Sequence, residues 1–114
     1  MNPDKNIFRL THVIQSIDKI EFITKDLSYG IYLEDWIKQD AIVRNIAIIS
    51  EAISHAEDEL KLKYPDVSWV QAEGMRNFLV QEYFKVDHDA VWATFHEELP
   101  NLKVQILSII KDIS

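Results

Sequence analysis

The stretch from Asp4 to Asp26, DKNIFRLTHVIQSIDKIEFITKD, decides the fold. Its apolar residues Ile7, Leu10, Val13, Ile14, Ile17, Ile20 and Ile23, continued by Leu27, recur every three or four positions. That interval returns side chains to one face of an α-helix, so the stretch predicts a long amphipathic helix with Asp4 in its first turn. Gly30, in LSYGIY, is expected to break it. A second helix is predicted from about Glu34 to Leu62, turning Ile37, Ala41, Val43, Ile46, Ile49, Ala52, Ile53, Ala56 and Leu60 inward.

Pro65, in KYPDVS, cannot continue the hydrogen-bond ladder and should stop that helix. Ser68 is a good N-cap for a third helix from Trp69 to about Tyr83. FKVDHD reads as a loop in which Asp87 or Asp89 could cap the last helix. That helix carries Val91, Trp92, Phe95, Leu99, Leu102, Ile106, Ile109, Ile110 and Ile113. Pro100 lies inside it, so a kink or break is expected around Glu98 and Leu99. Four principal helices, no convincing strand and short connections predict an all-α, up-and-down four-helix bundle forming a single domain over residues 1–114.

Composition agrees with this plan. With 2 glycines and 3 prolines in 114 residues, there are too few chain-breakers for the many turns of a sandwich or barrel. About half the residues are apolar, enough for a core without disulfides or metals. There is no cysteine, which excludes a disulfide scaffold and cysteine zinc sites. The N-terminus has no apolar signal core and no run reaches about 18 apolar residues, so a cytoplasmic protein is expected. The net charge is −7, which disfavours broad, charge-driven binding to nucleic acid. Any RNA contact would need a local cationic site, so the three arginines, Arg9, Arg44 and Arg76, each matter.

The chemistry concentrates in GMRNFLVQEYF, Gly74 to Phe84. On a straight helix Arg76 and Tyr83 point nearly the same way, about 10.5 Å apart, whereas Gln81 is turned roughly 140° from Arg76. One straight helix does not stack the three. Either the helix distorts near Tyr83, or a two-fold homodimer with its third helices at the axis brings the groups together. Spacing alone describes a solvated helix face with an amphipathic tyrosine. Arg9 and Arg44 read as surface charge, His88 as an exposed loop residue, and Trp36, Trp69 and Trp92 as core or interface. No His-x3-His spacing occurs, so no metal or other cofactor is assigned.

The segment GMRNFLVQEYFKVDHDAVW, followed by LPNL, resembles the hallmark region of the HepT-like proteins of the HEPN superfamily, the toxin half of HepT/MNT toxin–antitoxin pairs. The family pattern is arginine, four to six residues, histidine, any residue, tyrosine. Arg76 matches the arginine, Asn77 the polar residue that often follows it, and Tyr83 the tyrosine. AIVRNIAIISEAI (Ala41 to Ile53) and VWATFHEELPNL (Val91 to Leu102) resemble the family's second and last helices, and Glu51 matches a frequent glutamate that would face the Arg76 region or simply sit on the helix surface. The departure is Gln81, which stands where nuclease members carry histidine.

The resemblance implies metal-independent cleavage of RNA. Histidine would move a proton at the ribose 2′-hydroxyl or the leaving oxygen, a contribution typically worth ~10²–10⁴ in rate. Arginine would fork two donors onto the scissile phosphate. Glutamine hydrogen-bonds but does not titrate, so this chain should fold while its acid–base chemistry fails. Gln81 is either natural, giving a degenerate binding protein, or a substitution that silences a toxic enzyme. The resemblance further implies a homodimer and a minimal nucleotidyltransferase antitoxin as partner, which attaches adenylyl groups to Tyr83. A charged, bulky AMP beside Arg76 would compete with RNA. Two other classes stand against this expectation: a non-catalytic module that binds a nucleotide or docks the partner, and a plain dimer-forming bundle.

Overall fold

The computed structural model describes every residue except Met1, Tyr83 and Phe84, and for Phe78, Leu79, Val80, Gln81 and Glu82 it describes the backbone alone. Seven helices follow one another: α1 (Pro3–Thr24), α2 (Tyr29–Glu34), α3 (Trp36–Ser54), α4 (Asp58–Lys63), α5 (Trp69–Leu79), α6 (His88–Ala93) and α7 (Leu99–Ile113). Between α5 and α6, β1 (Val80–Glu82) and β2 (Lys85–Val86) pair antiparallel. The architecture is the all-α bundle expected, with α3 against α1 on one side and α5 on the other, and α7 against α1.

Local chemistry explains where the helices start and stop. The Asn2 side chain accepts the Lys5 N–H at 3.2 Å, and Pro3 occupies the first turn, where its missing N–H costs nothing. At the other end the Thr24 hydroxyl donates to the Ile20 carbonyl at 2.8 Å, and Asp26 turns the chain with φ 58°. Aspartate tolerates that left-handed conformation better than most side chains.

Four expectations need correction. Gly30 does not interrupt helical structure. Ser28 caps a short helix by accepting the Ile31 N–H at 3.2 Å, and Gly30 sits in its first turn. The predicted second helix is two. The Ser54 hydroxyl turns back on the Glu51 carbonyl at 2.7 Å, α3 ends there, and α4 begins four residues later. Ile37, expected inside, is 63% exposed, and Trp36 is 67% exposed, because both lie in the first turn of α3 before its inward face begins at Ile42. The third helix stops at Leu79 rather than Tyr83 and passes into the β1–β2 pair.

The break near Pro100 takes a particular form. Thr94–Glu98 forms a π-helical turn joining α6 to α7, so the chain stays helical across the proline. Pro100 falls in the first turn of α7, the place where a helix loses least by having no N–H. The core under these elements is a single cluster. Leu10, Val13, Ile17 and Ile20 of α1 meet Ile42, Ile46, Ile49 and Ile53 of α3, with Leu99, Leu102, Ile106 and Ile109 of α7. No helix among the described residues is long and apolar enough to cross a membrane.

Candidate functional site

Arg76 lies in the last turn of α5 with its side chain exposed, and Asn77 beside it is exposed as well. Its backbone is held from below. Ser50 of α3 is buried and its hydroxyl donates to the Ala72 carbonyl at 2.9 Å, while its oxygen lies 3.4 Å from the Arg76 backbone nitrogen as acceptor. One hydroxyl thus fixes the α5 turn that presents the guanidinium. Met75 and Ala72 anchor the opposite face of that turn in the core. Arg76 makes no ion pair among the described residues, and its side chain is open to solvent.

Gln81 is not on the Arg76 helix. Val80 pairs with Val86 and Glu82 with Lys85, so Gln81 is the extra residue of a bulge in β1. Bulges redirect the chain and recur beside functional sites. The helix therefore does distort before Tyr83, one of the two routes the spacing left open. Tyr83 itself, the residue expected to be modified, lies outside the described residues, as does the Gln81 side chain.

The downstream end of this segment is anchored by aromatic packing. Asp87 caps α6 by accepting the Ala90 N–H at 3.0 Å. His88, expected to be an exposed loop residue, is half-buried, with Nδ1 2.8 Å from the Tyr32 hydroxyl. Tyr32 is fully buried, its ring edge-on to His88 and Phe95 and tilted against Trp92. Burial, followed by the field of Tyr29, pushes the Tyr32 hydroxyl well above its ordinary pKa, so it stays protonated. The Tyr29 hydroxyl donates to Asp89, clasping α2 to α6 a second time. Sequence reasoning missed both Ser50 and Tyr32. A serine inside the apolar run IAIISEAIS was the available signal for the first; nothing local marks the second.

Glu51, for which a place facing Arg76 and a plain helix-surface place were both open, bonds to His55 one turn along α3, Oε1 to Nε2 at 2.9 Å, and both side chains are largely exposed. A cleft of about 400 Å³ between α5 and α7 is lined by Ser68, Gln71, Met75, Glu98, Asn101 and Gln105, among others. Arg76 is not part of it, and its carboxylates would repel phosphate.

An all-α bundle that presents an exposed arginine just before a bulged strand is the setting in which the family comparisons fall. The family model described as ribonuclease HepT-like matches residues 13–109. The chain is 35% identical over 113 residues to "Gamma-glutamylcyclotransferase and putative RNase MJ0434" of Methanocaldococcus jannaschii, covering 99% of this chain and 50% of that protein. It thus spans about half the length of that relative. It is 32% identical over 104 residues to "Putative RNase MJ0125" of the same organism, covering 91% of this chain and 90% of that one. It is also 32% identical over 94 residues to "Probable ribonuclease HepT" of Thermococcus cleftensis, covering 82% and 86%. No solved structure gives a significant match. The chain belongs to the ribonuclease HepT-like family.

Proposed function

We propose that this chain is the toxin component of a HepT/MNT-type toxin–antitoxin pair, built as a metal-independent endoribonuclease and attenuated because Gln81 stands at the position of the proton-transferring histidine. The observation that carries the proposal is Arg76: an exposed guanidinium without an ion-pair partner among the described residues, in a chain of net charge −7. An exposed arginine with no ion-pair partner among the described residues is suited to bind an anion, and a bidentate fork matches phosphate. Gln81 can donate or accept a hydrogen bond at RNA but cannot take up and release a proton near neutral pH.

In this proposal the chain acts as a homodimer that juxtaposes two Arg76–Gln81 segments. A minimal nucleotidyltransferase partner would silence an active version by adenylylating Tyr83, whose added phosphate would occupy the Arg76 donors. Asn77 supports phosphate or sugar binding from the adjacent position. The test is RNA cleavage by the chain and by Gln81→His: a gain on restoring histidine supports the assignment, and equal activity removes position 81 from the mechanism.

The identity of residue 81 favours one second proposal, a non-catalytic module that holds a nucleotide or docks the transferase through the same residues. Calorimetry with AMP and with the partner separates the two. Binding without cleavage in the Gln81→His variant would favour the module.

A further inference from the structure

Two clefts meet over the first half of α5. The larger, about 1100 Å³, lies between α4 and α5 and is lined by Leu62, Pro65, Trp69 and Val70, among others. The smaller, about 400 Å³, is the cleft between α5 and α7 described above. Ser68 and Gln71 line both, so the two form one groove that crosses from α4 over α5 to α7. Arg76, in the last turn of α5, does not line it. Each of the three helices leaves an apolar side chain in the open there: Leu62 is 81% exposed, Val70 84% and Val104 68%.

The walls of the groove are tied to one another. Lys61 of α4 pairs with Glu73 of α5, and Gln71 donates to Glu98 Oε1 at 2.8 Å. The Trp69 indole N–H donates to the Tyr64 carbonyl at 2.8 Å, and the Gln105 amide of α7 donates to the Asp66 carbonyl at 3.3 Å. Glu97 and Glu98 reach the rim from the π-helical turn, a distortion that recurs at functional sites. A groove held in this way loses less conformational freedom when it is filled.

We infer that the groove docks a basic amphipathic helix of another protein, its apolar face on Leu62, Val70 and Val104 and its lysines or arginines against the rim. Charge selects that occupant. Asp58, Glu73, Glu97 and Glu98 all line the groove, and Lys61 is the only lysine or arginine among the described residues that do. Lys61 is already held by Glu73, so Asp58, Glu97 and Glu98 face an occupant without a compensating cation in the lining. An RNA backbone would meet like charge there, and so would a second copy of this chain, whose net charge is −7. A helix with apolar residues every third or fourth position and cations along its flanks satisfies the three apolar anchors and the acidic rim together.

The probe is a synthetic helix of about 15 residues with leucine on one face and lysine on the other, titrated into the protein by calorimetry. Leu62→Ser/Val70→Ser, both at exposed positions that the core does not use, should weaken binding at least about tenfold. Glu97→Gln/Glu98→Gln should weaken it several-fold. Glu34→Gln/Asp40→Asn removes the same charge at exposed positions outside the groove and should leave it unchanged. The same peptide with glutamate in place of lysine should not bind. Equal weakening by the two charge-removing pairs would mean a general attraction to an acidic protein and would overturn the inference. So would no binding of the lysine peptide, or a dimer of the chain that Leu62→Ser/Val70→Ser dissolves, which would put a second copy in the groove. An RNA strand whose binding that variant weakens would put RNA there instead, with the same consequence. None of these readouts depends on RNA cleavage or on position 81.

Discussion

Tyr32 and His88 stand 56 positions apart in the chain, yet the hydroxyl of one lies 2.8 Å from Nδ1 of the other. With Ser50 beneath Arg76, this pair brackets the segment that holds Asn77, Gln81 and Tyr83 between two fixed points. The Tyr32 ring also packs on Trp92 and Phe95, so its position does not depend on the hydrogen bond alone. Tyr32→Phe keeps that packing and removes only the hydroxyl. It should cost about 1–2 kcal/mol, since a half-buried imidazole nitrogen then lacks its partner. Urea denaturation of the two proteins measures it; unchanged stability would mean the bond contributes nothing net.

The same hydroxyl gives the fold an alkaline limit. Its pKa is raised in the folded protein, chiefly by burial, while in the unfolded chain it ionises near 10. The stability it contributes is therefore complete below about pH 10 and is lost as pH rises above that value, because only the unfolded state can then release the proton. Thermal unfolding from pH 8 to 11 should show the melting temperature falling above about pH 10, with a smaller slope in Tyr32→Phe. Equal slopes would show that Tyr32 is not the group responsible.

Ser50 is the second fixed point, tying Ala72 to the backbone nitrogen of Arg76. Ser50→Ala should destabilise the protein by about 1 kcal/mol through the lost hydrogen bond. In a Gln81→His background it should also lower RNA cleavage beyond what the unfolded fraction explains, because the Arg76 turn loses its anchor. Cleavage assayed well below the melting temperature separates the two effects.

The bundle was legible because periodicity reports burial directly: the stripe from Leu10 to Ile20 is the α1 side of the core. Helix ends were less legible, because they depend on single hydrogen bonds. Ser54 folding back on Glu51 ends α3 where no glycine or proline stands, and Ser28 starts a helix across Gly30. Arg76 could be placed on a solvated helix face from the sequence, but in the middle of a helix drawn to Tyr83 rather than in the last turn of one that stops at Leu79. The bulge at Gln81 could not, since it depends on how β1 registers with β2. The Tyr32–His88 contact joins residues too distant in sequence for any local pattern to announce it.

Asn6 offers a test of the core itself. It is fully buried, and neither Oδ1 nor Nδ2 has a hydrogen-bond partner among the described residues. Such a group costs about 1–3 kcal/mol in lost hydration. Asn6→Leu, similar in size and apolar, should raise stability by that order, read as a higher urea midpoint with an unchanged slope. A lower midpoint would mean that the amide is satisfied inside the bundle.

The central claim is that Arg76 binds the phosphate and that position 81 supplies, or here withholds, proton transfer. Single-turnover cleavage of one labelled RNA by the chain, by Gln81→His and by Arg76→Ala/Gln81→His tests it most directly. The account predicts little cleavage by the chain, a gain of ~10²–10⁴ on restoring histidine, and loss of that gain when Arg76 is removed. Equal cleavage by the chain and by Gln81→His, or undiminished cleavage without Arg76, would contradict it.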